Sequence, residues 1–295
     1  MEEIIYRPPF EAESLLLQVT HGCSHNRCSF CTMYRDVPFS AVPEEEIEEQ
    51  LRFAAEYRLS TRRVFLESGD AFALSADRLE KIAEEIHRNL PKVETIAMYA
   101  SVKNIRRKSS EDLKRLRDLG INELNVGLES GFDETLRLMN KGYTAKEAEY
   151  ELLRLREAGM DYGANIIFGS AGASHCRENA EATAELLNKT TPYLIFTGTI
   201  HADPGCPLYE DMQKGIFIEN TFGEYLDEEE HLLNLLTLEN CFYFGLHPSN
   251  IVPMQGHLQR DKEKLLARLQ NWREESKAIL DKRPDRAGEG AVILP

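Results

Sequence analysis

Three of the chain's six cysteines crowd into one nine-residue stretch, Cys23-Ser-His-Asn-Arg-Cys28-Ser-Phe-Cys31, which follows the apolar run Leu15-Leu-Leu-Gln-Val19. The spacing is C-x4-C-x2-C. Three thiolates this close on one loop can hold three irons of a four-iron cluster and leave the fourth iron with an open coordination position, where chemistry can occur. Zinc is the rival reading, because His21 and His25 flank the thiols. Structural zinc sites, however, pair two short knuckles across a longer spacer, and no second C-x2-C is present. A disulfide is disfavoured: the N-terminus Met-Glu-Glu-Ile-Ile-Tyr-Arg carries no targeting pattern, and thiols stay reduced in a cytosol.

The loop needs elements to hold it. Residues 14–20 read as a buried strand that delivers the cysteines at its C-terminal end. Further apolar runs at 63–67, 95–101, 123–129, 162–168 and 193–200 alternate with helical patterns at 75–89, 110–119, 144–158 and 177–187. An earlier helix opens at Val42-Pro-Glu-Glu-Glu-Ile47, where acidic residues complement the helix dipole. Such regular alternation predicts an α/β fold of parallel strands with right-handed crossovers. Six units make a partial (β/α)6, TIM-like barrel, short of the eight units of a closed one. The expected domains are a leader (1–13), the partial barrel (14–206), a mainly helical C-terminal extension capping the barrel (207–281) and a mobile tail (282–295).

Parallel barrels carry their active sites at the C-terminal ends of the strands, so the residues there are candidates. Gly69 beside Asp70 lets backbone and carboxylate approach an ammonium group. Ser101 offers a hydroxyl. Glu129 can accept hydrogen bonds from hydroxyls, Lys141 can balance an anion, and Gly169 opens a run of small residues where backbone can pass a flat ring closely. Cys206 ends the sixth unit.

The cysteine spacing, with aromatic Phe30 just before the third thiol, resembles the signature loop of the radical S-adenosylmethionine (radical SAM) enzymes. Within that family the match is to the subgroup of oxygen-independent coproporphyrinogen dehydrogenases and tRNA methylthiotransferases. The resemblance implies that Cys23, Cys28 and Cys31 hold a 4Fe-4S cluster whose open iron is chelated by S-adenosylmethionine. Gly69 and Asp70 match the Gly-Gly-Glu motif that holds the cofactor's amino group, with Ser68 in place of the first glycine. Glu129 matches a polar cofactor contact, and Lys141 a basic residue that pairs with the cofactor carboxylate. The stretch into Gly169 is similar to the G-x-I-x-G region, with Ala164 where the first glycine would be. Asp203-Pro-Gly-Cys-Pro-Leu-Tyr209 is similar to a Pro-Gly-Thr-Pro-Leu-Tyr segment, with Cys206 in place of Thr; Cys206 is the candidate for hydrogen-atom donation or a thiyl role. Phe30 and Ser101 complete the implied cofactor contacts.

The implied activity is reductive cleavage of S-adenosylmethionine to a 5'-deoxyadenosyl radical that takes hydrogen from a small molecule, in an oxygen-sensitive enzyme served by a one-electron donor such as flavodoxin or ferredoxin. An RNA- or protein-modifying enzyme and a non-catalytic haem or cluster carrier are the alternatives. Composition bears on the first of these: 35 Lys and Arg against 50 Asp and Glu give a net charge of -15, which repels polyanions. The basic clusters Lys103-Asn-Ile-Arg-Arg-Lys108 and Arg62-Arg63 read as solvated faces. No apolar run approaches the roughly 20 residues of a membrane span, so a cytoplasmic location away from membranes is expected.

Overall fold

The computed structural model describes residues 6–284; positions 1–5 of the expected leader and 285–295 of the expected tail lie outside the described residues. The elements alternate as strand and helix through most of the chain. They run β1 (Leu15–Gln18), β2 (Thr20–His21), β3 (Ser40–Ala41), α1 (Glu44–Tyr57), β4 (Arg63–Glu67), α2 (Ala76–Asn89), β5 (Thr95–Ala100), α3 (Val102–Arg106), α4 (Ser110–Asp118) and β6 (Ile121–Glu129). There follow α5 (Asp133–Leu138), α6 (Ala145–Glu157), β7 (Asp161–Phe168), α7 (Cys176–Thr190), β8 (Leu194–Thr199), α8 (Pro207–Gln213), α9 (Phe222–Leu235), β9 (Phe242–Gly245), β10 (Met254–His257) and α10 (Leu258–Glu275). The main sheet has eight strands in the order β1-β4-β5-β6-β7-β8-β9-β10. β1 runs parallel to β4, β4 to β5, β5 to β6, β7 to β8 and β8 to β9, whereas β10 is antiparallel to β9.

The chain forms two compact units. Of the described residues, one comprises 6–26 with Met33–Gly127 and Tyr150–Tyr162; the other comprises Arg27–Thr32, Leu128–Glu149 and 163–284. In the first unit, Val64, Phe65, Leu66, Ile96, Ala97 and Met98 are fully buried, as parallel strands covered by helices require. Helix α2 turns Leu79, Ile82, Ala83 and Ile86 inward, and the Ser75 hydroxyl caps it by accepting from the Arg78 N–H at 3.2 Å. In the second unit α7 packs on α9, and a Thr221/Glu224 capping box starts α9.

Three details depart from the sequence reading. The first strand breaks at Val19, whose carbonyl accepts from the Val42 N–H at 3.0 Å, so β2 leaves the main sheet to pair antiparallel with β3. β9 extends the parallel ladder by a further strand. The basic run at 103–108 is not a uniformly solvated face, because Lys108 is buried, and Arg63 is half-buried in an ion cluster.

That cluster sits at the N-terminal edge of β4. Arg63 donates to both carboxylate oxygens of the fully buried Glu11, at 2.8 and 2.6 Å, and pairs with Glu123 at 2.8 Å; Ser14 also donates to Glu11. Removing the guanidinium leaves a buried carboxylate uncompensated, which costs more than the pair contributes when intact. R63A is expected to lose about 3 kcal/mol of unfolding free energy in urea titration; a loss within experimental error would show that Glu11 is satisfied without it.

Candidate functional site

In the first unit the turn that ends β4 is the centre of a dense polar arrangement. Ser68 takes φ +92°, a glycine-like conformation held by its hydroxyl donating to the Gly22 carbonyl at 3.1 Å; the Gly69 N–H donates to the same carbonyl at 3.1 Å. A Cβ on Gly69 would fall 2.6 Å from the Tyr34 ring and 3.0 Å from the Cys23 Cβ, so only glycine lets the turn approach the start of the cysteine loop this closely. Three donors then converge on Oδ2 of the buried Asp70: the Ser24 hydroxyl at 2.6 Å, the Ser101 hydroxyl at 3.4 Å and the Asn104 amide, which also donates to Ser24 at 3.0 Å. Cys23, Gly69, Asp70 and Ser101 are thus brought together, with Ser24 and Asn104 as participants that sequence reading missed. Asn104 was hidden in the basic run; its only signal is that it lies one helical turn beyond Ser101.

Lys108 reinforces the same turn. Its ammonium donates to the carbonyls of Phe72 at 2.7 Å and Leu74 at 3.0 Å and lies 4.0 Å from the Phe72 ring centre. Burial pushes its pKa down to about 8, despite the opposing pull of Asp70 and Asp112.

The second unit holds the rest of the cysteine loop. The Ser29 N–H donates to the Met139 carbonyl at 3.1 Å and its hydroxyl to Leu138 at 2.8 Å; Asn140 donates to the Arg27 carbonyl at 2.7 Å, and the Leu208 N–H to Ser29 at 2.9 Å. Thr32 donates to Asp203 at 3.0 Å, and Asp203 meets His201 at 2.9 Å. Lys141 and Glu129 form a buried ion pair at 2.9 Å, with Glu129 at φ +66°. Burial works against the Lys141 charge, but Glu129 and the nearby Cys28 outweigh it and hold the pKa well above the usual lysine value. Cys28, Glu129 and Lys141 are therefore neighbours, and the two charged groups face each other.

The remaining candidates are placed separately. Gly169, at φ +75°, forms the turn after β7. Phe30 is half-buried on the loop. Cys206 is fully buried as the N-cap of α8. Burial pushes Cys176 up to about 11 and Cys241 up to about 12, which keeps both as thiols at neutral pH.

The donor set fits a cluster. None of the six cysteines is in a disulfide, and Cys23, Cys28 and Cys31 are half-buried. Among the described residues no group of three or more His, Cys, Asp or Glu side chains is placed to hold a single metal ion. No helix there is long and apolar enough to cross a membrane.

Residues 17–187 match the family model described as the Radical SAM superfamily. The chain is similar to the heme chaperone HemW of Bacillus subtilis (strain 168), at 23% identity over 67% of this chain and 51% of the relative. It is similar also to a tRNA-2-methylthio-N(6)-dimethylallyladenosine synthase of Idiomarina loihiensis, at 23% identity over 68% of this chain and 43% of the relative. The chain thus spans about half the length of these curated relatives. Among solved structures, the radical S-adenosylmethionine methyltransferase TsrM from Kitasatospora setae, with cobalamin and a [4Fe-4S] cluster bound, superposes with a TM-score of 0.55 at 17% identity, over 68% of this chain and 39% of that one. The shared fold is the partial, TIM-like barrel class expected from the strand and helix alternation.

Lys108 yields a pH-dependent consequence. Its folded pKa lies below the unfolded value, so between about pH 8 and 10 the unfolded chain binds more protons and stability rises with pH. Relative to K108M, the wild-type protein is expected to gain unfolding free energy across that window; parallel stability curves for the two would refute the assignment.

Proposed function

Because the chain belongs to the Radical SAM superfamily, we propose that it holds a 4Fe-4S cluster on Cys23, Cys28 and Cys31, binds S-adenosylmethionine beside it, and removes hydrogen from a small-molecule substrate. The observation that carries this reading is the approach of the turn bearing Asp70 to the start of the cysteine loop: a Cβ on Gly69 would clash with the Tyr34 ring at 2.6 Å and lie 3.0 Å from the Cys23 Cβ. When bound, the cluster and S-adenosylmethionine would supply an electron and a 5'-deoxyadenosyl radical.

The chain's own groups then have distinct tasks. Asp70, oriented by Ser24, Ser101 and Asn104, would accept the cofactor ammonium. Lys141 would meet the carboxylate, and Glu129 would hold Lys141 charged and in place while offering acceptor oxygens to hydroxyls. Backbone at Gly169 would pass the nucleotide, and Phe30 would shield the loop from water. Lys108 would tie down the carbonyls of Phe72 and Leu74, just after Asp70. A one-electron donor such as flavodoxin or ferredoxin would reduce the cluster.

A net charge of -15 supports a small molecule over RNA as substrate. A carrier that holds cluster or haem without turnover is the second reading, favoured by the similarity to a heme chaperone.

Anaerobically reconstituted protein is expected to be brown and to contain about four irons and four sulfides per chain, with C31A losing the chromophore. Reduced with dithionite, it should convert S-adenosylmethionine to 5'-deoxyadenosine. A loaded protein that releases none would transfer the assignment to the carrier, and a colourless zinc protein would end both readings.

A further inference from the structure

Helix α9 lies outside the 17–187 segment matched by the family model, yet two of its side chains grip the turn after β7. Gly169 stands at φ +75°, and a Cβ there would fall 2.3 Å from the Tyr225 ring, so the ring rests directly on the glycine. Below it, the Gly169 N–H donates to Oε2 of Glu228 at 2.8 Å. The same carboxylate accepts from the Asn179 amide at 2.7 Å and the Asn220 amide at 3.3 Å. Asn179 is itself fixed, because its Oδ1 accepts from the hydroxyls of Ser130 at 2.5 Å and Thr135 at 2.9 Å.

Glu228 is 1% exposed, and these three partners are all N–H donors. A carboxylate on a buried face is costly, and burial pushes this one up to about 7 while the three donors pull the other way. A glutamine has the same shape but would turn an N–H2 group toward another donor, leaving one of these bonds unmade. The arrangement therefore calls for an acceptor-only side chain, and what it fixes is the left-handed backbone at Gly169.

We propose that Glu228 is a positioning residue for the nucleotide part of S-adenosylmethionine: by holding the Gly169 N–H it sets the close backbone approach on which the nucleotide rests. The C-terminal part of the chain then completes the cofactor site, although it lies beyond the family core. The inference rests on the cofactor assignment above and deepens it. Glu229, the next residue on α9, supplies the control. It too is buried, and burial pushes it up to about 8, but it accepts from the Tyr243 hydroxyl on β9 and makes no bond to the Gly169 turn.

The test is calorimetric titration of S-adenosylmethionine into the anaerobically reconstituted 295-residue chain. It is paired with the change in the electron paramagnetic resonance spectrum of the reduced cluster on cofactor addition, and with melting of each variant without cofactor. E228A, which removes the acceptor from the Gly169 N–H, is expected to bind about tenfold more weakly than wild type and to need correspondingly more cofactor for the spectral change, whereas E229A, which opens a comparable space one residue on, stays within about twofold of wild type. If E228A does not fold, E228D, which keeps the charge but retracts it by one methylene, carries the same expectation. Wild-type affinity in E228A, or an equal loss in E229A, would overturn the positioning role while leaving the cofactor assignment intact. Wild-type protein that carries its cluster yet binds no S-adenosylmethionine would overturn both.

Discussion

The arrangement depends on one steric constraint, the approach of the β4 turn to the cysteine loop at Gly69. With no side chain there, the backbone lies against Tyr34 and Cys23, and Gly22 receives two hydrogen bonds from the turn. Any larger residue would have to displace the Tyr34 ring and press on the Cys23 Cβ, disturbing the approach of the turn to the start of the loop. The alignment of a thiol with a buried carboxylate is therefore secured by packing, before any ligand is present.

In each of its two units the protein keeps charge in places where it is expensive. Asp70, Glu129, Lys141, Lys108 and Glu228 are all buried, and each is met by particular partners: hydroxyls and an amide for Asp70, an ion pair for Glu129 and Lys141, carbonyls for Lys108, and three N–H donors for Glu228. Such groups contribute little net stability, because desolvation cancels much of the attraction. What they provide is orientation. Backbone strain is spent in the same places: Ser68 and Glu129 hold positive φ without being glycine, and both follow or end a parallel strand where the candidate contacts cluster.

Membership of the superfamily accounts for the segment from 17 to 187, but the protein's own character lies beyond it. Helix α9 brings Glu228 and Tyr225 to the Gly169 turn, and β9 and β10 lengthen the sheet past the sixth parallel strand.

Much of this was legible in the chain itself. Alternating apolar runs gave the strands 63–67 and 95–100 nearly to the residue, because a parallel strand covered on both faces leaves an uninterrupted apolar signature. Glycine, cysteine and acidic residues at the strand ends marked the candidate positions, since local spacing is enough to recognise a loop of thiols. Partners distant in sequence were not legible. Asn104 and Lys108 looked like members of an exposed basic run until α3 and the turn that follows it carried them inward, and Glu228 lies 59 residues from the N–H it holds. Sequence by itself determined which residues can ligate, bend or cross the core, because those capacities belong to the residue and its near neighbours. Only the tertiary structure decided which buried charge faces which donor, because that pairing follows from how separate helices settle on the sheet.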